Sequence, residues 1–199
     1  MKVTIFLEHR FQKTPDGTYW AKNSFTYSFW QPYLVIFKSV QVVARVQLVD
    51  RESEGYDISS GNNVEFLPLS YFKGPVGFLL KLNKLRKSIH TYLISADKVI
   101  LRVPTSGISD IAHNWLKKNS VPYAIEVVAD HFAVLSRGSI INVIRKYYQS
   151  HLTKSLRKIC SGARYASYVT EKSLQNRYQS IIAVFCTWYS DIIFEIEHI

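Results

Sequence analysis

The run from Pro122 to His131, reading Pro-Tyr-Ala-Ile-Glu-Val-Val-Ala-Asp-His, constrains this chain more than any other stretch. Tyr123 to Val128 is apolar on both alternating faces, the pattern of a strand covered by helices on two sides in a parallel sheet. Glu126 lies inside that run, where an ionised carboxylate must meet a partner or a ligand. Asp130 and His131 follow just past the strand's carboxyl end. Open α/β sheets bind ligands in the crevice outside that edge, so an active cleft is expected there.

The remaining segments fit the same plan. Val3 to Leu7 reads as a buried strand, and His9 to about Asn23 as a long loop turned by Pro15-Asp16-Gly17. Phe25, Phe29, Tyr33 and Phe37 recur every four residues, which predicts a helix over Ser24 to Phe37 that Pro32 kinks or splits. Val40–Val46 and Val64–Leu69 read as strands around a polar loop. A helix from Lys73 to about Ala96, a strand over Lys98–Val103 and a helix over Ser109–Asn119 follow. After the Pro122 run come a long helix from Ser139 to about Ser161, a strand over Tyr165–Val169 and a short helix over Glu171–Tyr178. Alternating strands and helices predict an α/β fold: one Rossmann-like, doubly wound, mostly parallel sheet with helices on both faces. The domain is expected over 1–179, with 180–199 as a connecting tail.

Composition narrows the chemistry. The chain has 199 residues, 47% of them hydrophobic, enough for a packed core, and a formal net charge of +10. Such a charge attracts something anionic without choosing among nucleic acid, phosphosugars and membrane. Two cysteines, Cys160 and Cys186, are too few for a disulfide framework and lack metal-ligand neighbours at short spacing. No metal or cofactor is expected. No run reaches the roughly 20 apolar residues of a spanning helix, and the expectation is a cytoplasmic protein, peripheral to the membrane at most.

Four stretches, in order, resemble the amino-terminal half of a GT-B-fold, group 1 type glycosyltransferase. They are Phe25-Thr-Tyr-Ser-Phe-Trp-Gln-Pro-Tyr-Leu leading into Val40-Gln-Val-Val-Ala-Arg-Val46; Ile100-Leu-Arg-Val-Pro104; Pro122 to Asp130; and Tyr168-Val-Thr-Glu-Lys-Ser-Leu-Gln-Asn-Arg-Tyr178. The resemblance implies an acceptor-binding domain that ends at Ile199, about where the family's linker to the donor domain begins, so the half supplying most of the nucleotide-sugar site is expected to be absent from this chain. Autonomous catalysis is then not expected, and a second domain or polypeptide completes the cleft. The paired-glycine loop common after the first strand in the wider family is absent; only Gly17 stands there. Asp130 matches the family pattern, whereas the family has proline where His131 stands.

Each candidate residue has two readings. Arg102 and Glu126 form either an ion pair that fixes strand order or a pair facing substrate hydroxyls or phosphate. Asp130 either caps a turn or orients an acceptor hydroxyl, and His131 is either solvated or a base near neutral pH. His9, Arg10 and Lys13 make either a solvated basic loop or a phosphate site after the first strand. Glu171 either sits in a helix's first turn or touches the acceptor.

Two helices are basic and nearly free of acids. Phe78, Leu82, Leu85 and Ile89 line one face of the first, with Lys81, Lys84 and Lys87 off it. In the second, Ile140, Ile144, Tyr148, Leu152 and Leu156 line one face, with Lys146, Lys154, Arg157 and Lys158 elsewhere. Such faces are either merely solvated or attracted to anionic lipid head groups. The functions that follow are an acceptor-binding half of a nucleotide-sugar-dependent transferase, acting on a saccharide or lipid-linked acceptor, or a non-catalytic membrane- or partner-docking domain derived from one. Nucleic acid is not expected, because no stacking motif, zinc signature or DNA-binding helix pair accompanies the charge.

Overall fold

Strand β1, Lys2–Lys13, runs five residues past the Glu8 that ends its most apolar stretch. The structure, a computed structural model, describes residues 1–104, 107–129, 142–170 and 172–188. The chain divides into two compact units, Met1–Tyr123 and Ala124–Ile199.

In the first unit, β1 pairs in parallel with β3 (Ser39–Leu48) along its length and with β6 (Lys98–Val103) through Val3–Phe6. Strand β5 (Val64–Ser70) extends the parallel set beyond β3, giving the order β5-β3-β1-β6. The expected loop from His9 to Asn23 is therefore corrected. Its first five residues continue β1, and Pro15-Asp16-Gly17 turns an antiparallel hairpin into β2 (Tyr19–Lys22), which in turn pairs with the short β4 (Tyr56–Ile58). Asp16 accepts hydrogen bonds from Thr14 and Thr18 that stabilise this turn.

Side-chain alternation sorts the sheet into two covered faces. Val3, Ile5, Leu7 and Phe11 of β1 join Val40, Val42, Ala44 and Val46 of β3 beneath helix α1, Tyr27–Ile36, whose Trp30 is fully buried. The helix continues through Pro32 and is not split there. Proline forfeits only the bond to the Ser28 carbonyl there, and the burial of Trp30 holds the helix on the sheet. The opposite face, carrying Phe6, Val43 and Leu101, is covered by α2 (Gly74–Ile94) and α3 (Ile108–Lys118), which contribute Leu85, Ile89, Ile108, Ala112 and Leu116 to the core. On that face Thr4 donates to Gln41 at 3.0 Å and Gln41 to Glu65 at 2.7 Å, a polar ladder across three strands that a register slip would break. Gly107 takes φ +112° before α3, and a Cβ there would lie 2.4 Å from the Phe78 ring, so only glycine fits.

Among the described residues the second unit holds three parallel strands, β7 (Ala124–Val127), β8 (Tyr165–Tyr168) and β9 (Phe185–Trp188). Helices α4 (Asn142–Ser161) and α5 (Ser173–Arg177) accompany them. Leu152, Leu156 and Ile159 of α4 are buried, as are Ile125, Val127 and Ala166 of the strands, and the Tyr168 hydroxyl donates to the Tyr178 carbonyl at 2.7 Å. Strand β9 lies within the stretch expected to be only a connecting tail. The fold is thus α/β with mixed but mostly parallel pairing and helices against the strands.

One buried hydroxyl braces the α1 side. Ser59, with no exposed surface, accepts the Trp30 indole N–H at 3.1 Å and donates to the Phe25 carbonyl. Replacing Ser59 with Ala strands both groups, and a buried unsatisfied group costs about 1–3 kcal/mol. Urea unfolding of Ser59→Ala should show a loss in that range; a midpoint equal to wild type would contradict the bridge.

Candidate functional site

The order β5-β3-β1-β6 places a switch point between β1 and β6, since the connections from β1 run outward on both sides of it. Here β1 departs from regularity. From Phe6 to Arg10 it takes four residue steps while β3 takes two, from Val43 to Arg45. Its other edge pairs with β6 only to Phe6 and with β2 only from Gln12, so Leu7 to Phe11 lie between the two partners. Because two residues are inserted rather than one, alternation survives the bulge: Leu7, His9 and Phe11 stay on the α1 side.

On that side His9, half-buried, packs its ring 4.6 Å from Phe11 and 4.8 Å from Phe25. The Arg102 guanidinium, near the carboxyl end of β6, lies 5.5 Å from the Phe25 ring and 4.9 Å from that of Phe29. Phe25 itself adopts φ 68° just before α1, a left-handed conformation that turns its ring toward both groups. His9 and Arg102, far apart in sequence, are thus gathered around one half-buried aromatic. Stacking on two rings fixes the plane of the Arg102 guanidinium.

The other side of the bulge carries an ion pair. Arg45 meets Glu8 at 2.8 Å, with side-chain exposures of 11% and 14%. The same guanidinium donates to the Phe72 carbonyl at 3.1 Å and lies 4.5 Å from the Phe72 ring. Burial lowers the Arg45 pKa from its usual value, and the Glu8 carboxylate pulls it back up. Arg10, paired in register with Arg45, is exposed at the rim.

Burial, reinforced by the positive charges of Arg10 and Arg45, lowers the His9 pKa to about 4. His9 is therefore neutral at neutral pH, and its Nε2 is buried with no hydrogen-bond partner among the described residues. The loop expected at His9, Arg10 and Lys13 is corrected. The three residues belong to strand β1, where Arg10 and Lys13 carry the charge and His9 is neutral. Lys13 lies three residues farther on, about 10 Å along the strand, with its ammonium 5.2 Å from the Tyr19 ring in the hairpin.

Arg102 belongs to the first unit and Glu126 to the second, where Glu126 is buried in β7 opposite Ser167. Asp130, His131 and Glu171 lie outside the described residues. Burial pushes the Cys160 thiol up to about 12, which makes it inert. Among the described residues no group of three or more His, Cys, Asp or Glu could hold a metal, and no helix is long and apolar enough to cross a membrane. Sequence reading missed Glu8, Phe25, Arg45 and Phe72 as parts of this edge. The available signal was the alternation Leu7, His9, Phe11, which continues the strand through Glu8.

No protein-family model matches the chain. It is 34% identical over 179 residues to Protein CapJ of Staphylococcus aureus, covering 89% of this chain and 44% of that protein. The chain therefore spans less than half the length of this curated relative. Among solved structures, a UGT transferase from Siraitia grosvenorii in complex with UDP aligns with a TM-score of 0.46 and 10% identity, over 96% of this chain and 50% of that one.

The His9 environment generates a pH signature. The unfolded imidazole titrates near 6.5 and the folded one near 4. Its contribution to stability is complete above about pH 6.5 and is lost as pH falls from there toward 4, with a slope of at most about 1.4 kcal/mol per pH unit. Urea midpoints should thus fall more steeply between pH 7 and 5 for wild type than for His9→Gln. Parallel curves would contradict the burial.

Proposed function

We propose that this chain is the acceptor-binding half of a GT-B-type, nucleotide-sugar-dependent glycosyl transfer protein. The observation that carries the reading is the β1–β6 switch point, where Arg102 lies over the half-buried Phe25 and Phe29 and His9 packs on Phe25, with Arg10 exposed at the rim on the other side of the strand. Aromatic faces flanked by basic groups suit a sugar ring bearing a phosphate, and α/β sheets bind ligands at this edge. The ordered resemblance from Val3 to Tyr178 supports the same class.

In this reading Arg102 and Arg10 attract the anionic part of a saccharide or lipid-linked acceptor. Neutral His9 offers hydrogen bonding rather than charge. Asp130, which follows β7 in sequence, orients or deprotonates the acceptor hydroxyl, and the donor nucleotide sugar is held by a further domain or polypeptide. A non-catalytic docking domain is the second reading, favoured by the exposed apolar positions of α2.

Nucleotide-sugar turnover separates the two. The chain alone should release no nucleoside diphosphate, whereas mixing it with the part of CapJ that it does not cover should give acceptor-dependent release. Asp130→Asn should then lower turnover by about a hundredfold or more, and Arg102→Ala should raise the KM for acceptor. Absence of turnover in every mixture, with every nucleotide sugar tried, would remove the enzymatic reading.

A further inference from the structure

Residues 23–26 join β2 to α1, and two of the four adopt left-handed backbone, Asn23 at φ 66° and Phe25 at φ 68°. Asparagine tolerates that conformation, whereas a bulky aromatic holds it only where surrounding contacts impose it. Here the Phe25 ring lies 4.8 Å from the His9 ring and 4.8 Å from that of Phe29, with Trp30 at 6.0 Å and the Arg102 guanidinium at 5.5 Å. Its carbonyl accepts the Ser59 hydroxyl. Despite these partners Phe25 is only half-buried.

What the ring covers is itself unsatisfied. The His9 imidazole packs against Phe11 and Phe25, and its Nε2 is buried with no hydrogen-bond partner among the described residues. A polar atom shut away from water without a partner is a standing cost. The left-handed backbone and the stranded nitrogen are two costs of one arrangement, and one movement relieves both. Turning Phe25 to negative φ carries its ring off His9 and opens Nε2 to a hydrogen bond. The surroundings need not follow, because Trp30 is fully buried and bonded to Ser59, and β1 is held in the sheet by β3.

We propose that Phe25 is a movable cover on the β1–β6 edge. Closed, its ring rests on His9; open, the place it vacates beside His9, Phe11 and Phe29 takes the ring of a sugar phosphate. A pyranose is close to a phenyl ring in breadth, packs its C–H face on aromatic rings and brings hydroxyls for the stranded nitrogen, while its phosphate suits the positive charge of Arg102 on this side of the sheet. The nature of the occupant rests on the glycosyl-transfer reading; the movement of Phe25 does not.

The test is modification of the whole chain near pH 7 by diethyl pyrocarbonate, which acylates accessible neutral imidazole. The rate at each histidine is read by peptide mass spectrometry and normalised to the chain unfolded in urea. Exposed His151 reports free access, and His113, 3% exposed within α3, reports unfolding of the first unit. His9 should react about tenfold or more slower than His151, as a minor open form requires, and about tenfold or more faster than His113. A rate equal to either reference would overturn the cover. Phe25→Ala should bring His9 to within about threefold of His151 and leave His113 unmoved; an unchanged His9 rate would mean that another group does the covering and would overturn the proposal. Should the variant speed His113 as well, the whole unit has loosened and the wild-type ratios decide. N-acetylglucosamine 1-phosphate or glucose 1-phosphate in excess should slow His9 alone, and inorganic phosphate should not. Equal slowing by inorganic phosphate, or none by either sugar phosphate, would overturn the occupant even if the mixture with the rest of CapJ turns over. Slowing without turnover would sustain the cover while the transfer reading fails.

Discussion

The first unit depends on the placement of β1. Its left side in the parallel set is taken by β3 and its right side by β6 and then β2, so every other strand of the unit takes its register directly or indirectly from this one. A strand in that position can bend only if its alternation is kept, because a single-residue slip would turn each buried side chain to the wrong face. Inserting two residues between Phe6 and Arg10 meets that condition. The backbone is displaced at the carboxyl edge, while Leu7, His9 and Phe11 remain against the α1 core.

The bulge also determines the electrostatics of the edge. Glu8 and Arg45 are brought together with little solvent, and an ion pair so placed needs further hydrogen bonds to offset desolvation. The Phe72 carbonyl supplies one, and the Phe72 ring lies against the guanidinium. Across the sheet Arg102 is held by two aromatic faces and His9 by three-way ring packing with Phe11 and Phe25. Burial among positive charges then favours the neutral imidazole over the charged one. A residue type associated with titration near neutrality is thereby turned into a neutral polar contact.

Function in this reading is concentrated at that edge. The edge gathers basic and aromatic groups where an α/β sheet meets ligands, and the proposed acceptor chemistry follows from it. Phe25 belongs to the same edge, and its left-handed backbone holds an aromatic ring over His9, whose buried Nε2 has no partner among the described residues. A sugar phosphate in the place of that ring would unite the two proposals physically, since it calls for the same aromatic faces and the same charge.

Strand and helix identities were largely legible in the chain, because apolar periodicity reports burial and burial sets the element. Lys98–Val103 was read to the residue, and the Pro15-Asp16-Gly17 turn was visible from its residue types. The extent of β1 was not, because Glu8 interrupts the apolar run and only Arg45, distant in sequence, makes a carboxylate tolerable at that point. Strand β9 was hidden for a related reason: its four residues are exposed, so no burial pattern marks them, and pairing with β8 alone defines them. Likewise the basic character of α2 was plain in the sequence, while the outward face of Val76, Leu79 and Leu80 was not. Composition and spacing by themselves determined an α/β chain with a cationic surface. Which charges are buried, which histidine is neutral and which leucines face outward were decided only by tertiary structure, because each depends on neighbours that the chain brings together from far apart.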